Sequence, residues 1–139
     1  MSSDQESYNV PDGYLYTKDH EWIKAKNGSY VVGITDYAAK MLNDIVFVTL
    51  PKDGESFKQK DVFGQVESVK TVSDMFMPVS GSILKTNSKL VQAPELVSNS
   101  PYQDGWMLEV KPDNFQAELK DLLDAKSYLS FISSLIDSA

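Results

Sequence analysis

Cysteine is absent from the 139-residue sequence. That removes disulfide scaffolds, thiolate metal centres, iron–sulfur clusters and a cysteine nucleophile together. Arginine is absent too: the 13 basic residues are all lysines, set against 20 acidic ones for a net charge of −7. An acidic chain without guanidinium forks suits a phosphate backbone poorly, so nucleic acid is not an expected partner. The single histidine, His20, leaves no room for a multi-histidine metal centre. A Ser–His–Asp triad needs only one, but no G-x-S-x-G stretch exists to present the serine. No apolar run approaches the roughly 20 residues of a membrane-spanning helix, so a membrane is not an expected partner either. The opening MSSDQESYN carries neither the apolar stretch of a secretory signal nor the arginines of a transit peptide.

What is present is enough apolar material, 42% of residues with 11% aromatic, to bury one core. The expectation is a soluble, acidic domain over 14–139 preceded by a flexible segment over 1–13. Short β-branched or aromatic runs stand at 20–26, 30–35, 45–50, 63–69, 71–79, 82–86 and 106–111. Asn27-Gly28 reads as a hairpin turn between the first two, and Thr35 as the cap of a short helix over 37–42. Phe115, Leu119, Leu122, Leu123, Leu129, Ile132 and Ile136 recur at steps of three, four and seven, predicting a C-terminal helix over 114–136. Many short strands closed by one terminal helix predict a mostly β barrel or sandwich. Trp22 and Trp106 are core candidates, and Gly64 and Gly81 are read as permitting tight turns or bulges.

Lys70 lies between two strand-like runs, where a tight hairpin would carry its side chain beyond the sheet. A lysine at such a tip can enter another protein's active site, and its amine can be acylated once it loses a proton. An ordinary solvated turn lysine has the same appearance. Glu21 on an alternating strand reads equally as a solvated carboxylate. His20, with no fixed partner in sequence, reads as a structural hydrogen-bonder rather than a base.

The residues around Lys70, E-S-V-K-T-V-S-D from Glu67 to Asp74, resemble the lipoyl-lysine motif of the glycine cleavage system H-protein family. Further blocks follow in the family's order: His20-Glu21-Trp22, Val32-Gly33-Ile34-Thr35-Asp36-Tyr37-Ala38, Asp44-Ile45-Val46-Phe47-Val48, Pro78-Val79-Ser80-Gly81, Pro94-Glu95-Leu96 and Asp104-Gly105-Trp106. The resemblance spans roughly residues 14–128. It implies a barrel–sandwich hybrid of the lipoyl/biotinyl-carrier kind, with lipoic acid in amide linkage on Lys70. It also implies a non-catalytic shuttle. That shuttle carries the aminomethyl group of glycine from a pyridoxal-phosphate glycine decarboxylase to a tetrahydrofolate-dependent aminomethyltransferase. Dihydrolipoamide dehydrogenase then reoxidises it, and a lipoate ligase or lipoyl transferase loads it. Glu21 and Asp74 match the carboxylates that flank the family's arm cleft, Glu67 matches a ligase-recognition residue, and His20 belongs to the H-E-W block. The alternative within the same fold is a relay protein that donates lipoyl groups to other enzymes. A bacterial cytoplasm and a mitochondrial matrix both fit as the location. Asn43 stands where many relatives carry glycine, which suggests a left-handed residue.

Overall fold

A computed structural model describes residues 8–138. Nine strands run as β1 (Leu15–Tyr16), β2 (Glu21–Lys26), β3 (Ser29–Ile34), β4 (Ile45–Thr49), β5 (Ser56–Phe57), β6 (Val62–Ser68), β7 (Val72–Phe76), β8 (Gly81–Thr86) and β9 (Leu108–Pro112). They form two antiparallel sheets, a six-stranded one ordered β1-β2-β3-β9-β8-β5 and a three-stranded one ordered β4-β6-β7. Ile23, Val32, Val48, Phe63, Val66, Met75, Ile83 and Val110 fill the core cluster shared by the two sheets. This is the barrel-sandwich architecture that the resemblance implies, within the mostly β class that the strand pattern predicts. Met75 and Met77, bulky for a returning strand, are both buried.

Local chemistry explains the joints. Asn27 and Gly28 both take positive φ, as a two-residue hairpin between Lys26 and Ser29 requires. Helix α1 (Asp36–Leu42) starts at Thr35, whose hydroxyl accepts the Ala38 N–H, and ends at Asn43 with φ +58°. Gly64 sits where the register of β6 shifts, with ordinary φ. Its role is close approach, because a Cβ there would land on the Thr49 carbonyl oxygen of the neighbouring strand. Gly64→Ala is expected to cost about 2 kcal/mol, measurable as a lower denaturant midpoint with unchanged slope.

One boundary differs from expectation. The stretch 114–136 is not one helix. It comprises α4 (Phe115–Glu118), a 3-10 turn over Leu119–Asp121 and α5 (Ala125–Asp137); the short helices over Lys89–Gln92 and Leu96–Asn99 become α2 and α3. The break has a backbone cause. Leu122 is extended, and Leu123 exchanges hydrogen bonds of 2.7 and 2.8 Å with Tyr16, so this segment behaves as a strand beside β1. Asp124 then restarts the helix by accepting the Ser127 N–H at 2.8 Å.

The expected flexible segment over 1–13 falls partly outside the described residues, and residues 8–11 of it are held against the domain. Residues 1–7 lie outside the described part, but Tyr8 packs edge-on against Tyr37. The Asn9 backbone bonds both Asp36 and Tyr102, and the Tyr16 hydroxyl donates to the Pro11 carbonyl.

Candidate functional site

Lys70 occupies the tip of the β6–β7 hairpin. Buried Ser68 organises that tip: its N–H donates to the Thr71 carbonyl at 2.8 Å, and its hydroxyl accepts the N–H groups of Lys70 and Thr71. The Val69 N–H donates across to the Asp44 carbonyl at 3.1 Å. The backbone of the tip is therefore tied down while its side chains face solvent, Val69 at 72% exposure. Among the described residues the Lys70 ammonium has no ion-pair or hydrogen-bond partner.

Glu21 is the opposite case. Although at the start of β2, it is 1% exposed, because it shares the face of β2 that carries Ile23 into the core between the sheets, and its carboxyl meets β7 of the other sheet. The Thr17 hydroxyl donates to its Oε1 at 2.6 Å and the Phe76 N–H to its Oε2 at 3.1 Å. Both bonds favour the carboxylate, but burial outweighs them and pushes the carboxyl up to about 8. At neutral pH Glu21 is therefore mostly protonated.

Asp74 is exposed and accepts a hydrogen bond from Gln65 Nε2 at 2.9 Å. Strand β7 connects these groups in order. It leaves the Lys70 tip at Val72, carries Asp74 on its solvent face, and reaches Phe76, whose N–H holds Glu21. From Val72 to Phe76 is about 13 Å of strand, beyond the reach of a bare lysine side chain. Glu67 is exposed on the central strand, paired in register with Phe47 on one side and Val72 on the other.

Two clefts flank this region. One, of about 210 Å³, opens between α1 and β7 and is lined by Asp19, His20, Tyr37, Met41, Leu42 and Ser73 among others. The second, of about 400 Å³, reaches Glu21 past Thr17, Lys18, Gln59 and Lys60. Asp74 lines neither.

His20 is held as a structural group. Its Nδ1 lies 2.8 Å from the Tyr128 hydroxyl, which in turn lies 2.8 Å from the Thr35 hydroxyl. Its ring packs against Tyr37 and Phe131, and burial lowers its pKa, so it is neutral at pH 7. Its backbone sits at φ +71°, a conformation costly for a residue with a Cβ.

Thr17, Ser68 and Tyr128 were not singled out from sequence. Thr17 and Ser68 are close in sequence to the groups they orient, so a scan for hydroxyls near Glu21 and Lys70 would have found them. Tyr128 lies 108 residues from His20 and left no local signal. Trp106 is only half-buried and lines a separate cleft with Lys24 and Glu109, unlike the fully buried Trp22.

The sequence model described as "Glycine cleavage H-protein" matches residues 14–135. The chain belongs to that family. A glycine cleavage system H protein of Oceanobacillus iheyensis is 48% identical over 123 residues, covering 88% of this chain and 97% of the relative. One of Bacteroides fragilis is 45% identical, covering 91% and 99%. Among solved structures, the glycine cleavage system H protein of Mycobacterium marinum superposes with a TM-score of 0.80 at 38% identity, covering 87% of this chain and 97% of that one. The chain is thus a carrier component of the glycine cleavage system, with the family's lipoylated-shuttle role. No helix among its described residues is long and apolar enough to cross a membrane.

Proposed function

We propose that Lys70 is the residue that bears lipoic acid, in amide linkage, and that the protein is not itself an enzyme. It would take the aminomethyl group of glycine from a pyridoxal-phosphate glycine decarboxylase and present it to a tetrahydrofolate-dependent aminomethyltransferase. Dihydrolipoamide dehydrogenase would reoxidise it, and a lipoate ligase or lipoyl transferase would install the group. The observation that carries this reading is a lysine without an ion-pair or hydrogen-bond partner for its ammonium among the described residues, on a hairpin tip whose backbone is fixed by Ser68 and by Asp44.

The residues present fit such a group. When bound, lipoic acid supplies the two redox sulfurs that a chain without cysteine lacks. Lys70 holds it at the tip, and a lysine lengthened by an acyl chain can follow β7 where a bare lysine cannot. The cleft between α1 and β7 offers apolar contacts from Met41, Leu42 and Tyr37, with Ser73 at its wall. Asp74 places a carboxylate on the solvent side of the same strand. Glu21, neutral at rest, can ionise when a cationic amine approaches from the adjoining cleft, since opposite charge lowers a carboxyl pKa. Its position then lets it bind and shield that amine, while Thr17 and the Phe76 N–H steady the carboxylate so formed.

The test uses lipoylated protein incubated with glycine decarboxylase and glycine labelled at its methylene carbon. Intact mass is expected to show one labelled adduct, mapped to the Lys70 peptide. Glu21→Ala and Asp74→Ala should still become lipoylated, but their loaded forms should decay faster than wild type. Absence of the adduct, with lipoyl groups passing instead to other proteins, would replace this reading with the relay role.

A further inference from the structure

Five methionines stand in the sequence, and the fold sorts those it describes into two kinds. Met75, Met77 and Met107 are sealed in the core at 2% exposure or less, whereas Met41 is 60% exposed; Met1 lies outside the described residues. The place of Met41 follows from helix geometry. Tyr37 and Met41 are four apart on α1, as are Ala38 and Leu42, so the four side chains share one face of the helix. That face is a wall of the cleft of about 210 Å³ between α1 and β7. Tyr37 is buried against the His20 ring at 4.8 Å, which seats the inner turn. Met41, one turn further along, lines the same cleft from its rim, partly in water. Ser73, on the β7 wall, is three residues beyond Lys70, or about 10 Å along the chain from it.

We propose that Met41 is an oxidation site, at which hydrogen peroxide converts the thioether to a sulfoxide and so weakens the hold of this cleft on the loaded arm. The inference rests on the reading that Lys70 carries the arm and that the arm follows β7. In the step itself a sulfur lone pair attacks one peroxide oxygen, the S–O bond forms and the O–O bond breaks. Sulfur gives up two electrons. The other oxygen leaves as hydroxide and takes the remaining proton of the transferred oxygen, becoming water. Exposure selects the sulfur, because the three core thioethers offer the oxidant no path. With no cysteine in the chain, no thiol of the protein's own competes for it. The consequence follows from polarity. A thioether is flexible, polarizable and apolar, and suits contact with a hydrocarbon arm. A sulfoxide oxygen is a strong hydrogen-bond acceptor that stays hydrated, so it draws water to the rim and removes an apolar contact from the arm.

The test oxidises the full chain before it is lipoylated, so that the arm's sulfurs never meet the oxidant. Hydrogen peroxide is added, then removed with catalase, and peptide mapping reads each methionine. Met41 should gain one oxygen while Met75, Met77 and Met107 stay unmodified. The protein is then lipoylated, and glycine decarboxylase loads it from glycine labelled at its methylene carbon. The label on oxidised protein should decay about threefold faster than on untreated protein. Methionine sulfoxide reductases of both epimer specificities, applied before lipoylation, should restore the slower decay. In Met41→Leu, peroxide should not alter the decay, whatever its starting rate. Met41→Gln, which sets a neutral polar group at the same rim, should decay fast with no peroxide added. Three results would each overturn the inference: a core methionine oxidised before Met41, an oxidised Met41 with unaltered decay, or the same acceleration by peroxide in Met41→Leu. If untreated wild type takes no label at all, the carrier reading falls and this inference with it. If only the peroxide effect is missing, the carrier reading stands.

Discussion

Lys70→Arg should leave a lipoylating reaction at its unmodified mass, and the glycine-dependent loading seen with wild type should drop to background. Arginine keeps the charge and nearly the length of lysine, but its guanidinium stays protonated and offers no free amine for an acyl group. The substitution is expected to leave the fold untouched. The ordered part of the tip is backbone held by the Ser68 hydroxyl and the Asp44 carbonyl, and the Lys70 side chain contributes no hydrogen bond or ion pair among the described residues. A melt indistinguishable from wild type, together with the missing adduct, separates loss of the anchor from loss of structure. A lipoyl adduct on the arginine variant would move the anchor to another of the lysines and remove the geometric basis of the carrier reading.

The second large effect concerns Glu21 and pH. In the unfolded chain its carboxyl titrates near 4.5, whereas burial raises the folded value to about 8. The folded state therefore holds this proton more tightly, and the resulting stabilisation is fully present below about pH 4.5. It is lost progressively as pH rises through 8. The size of that loss is on the order of 5 kcal/mol. Neighbouring His20 acts with the opposite sign at lower pH. Its depressed pKa adds stability above 6.5 that disappears as pH falls through its folded value. Glu21→Gln isolates the carboxyl, because an amide retains the acceptor for the Phe76 N–H and can still pair with Thr17. Denaturant melts at pH 5, 7 and 9 should show the glutamine variant gaining on wild type by about 4 kcal/mol across the window. A difference that stays constant with pH would mean that Glu21 is ionised throughout.

How much of this was legible in the sequence depended on the range of the interaction responsible. The Asn27-Gly28 turn, the Thr35 cap, the positive φ at Asn43 and the exposed tip at Lys70 all follow from chemistry within a few residues, and all were readable. The bulge at Val46, where the β4–β6 register shifts between Ile45 and Phe47, was not, since IVFVT alternates no differently from a regular strand; only pairing with β6 reveals the extra residue. The break at Leu122 was hidden for a related reason. Leu122 and Leu123 continue the apolar spacing of a helix, and the partner that draws Leu123 into extended backbone is Tyr16, more than 100 positions away. Ser56–Phe57 is too short to announce itself as a strand. At the candidate site, the residue types were readable but their environments were not. Glu21 and Asp74 look alike in sequence, yet one is buried between the two sheets and the other sits in water. That contrast comes from β7 converging on β2 from a distant segment, where the Phe76 N–H meets the Glu21 carboxyl.

The reciprocal bonds between Tyr16 and Leu123 give the tail of the chain a duty besides packing. Strand β1 lies at the margin of the larger sheet, and an unpaired margin invites a stranger's backbone to join it. Leu123 takes that vacancy with the protein's own chain. Thr17 comes next after Tyr16, so the same zipper also fixes the hydroxyl that grips Glu21. A residue near the carboxyl end thus helps to place the hydroxyl that holds a group near the amino end.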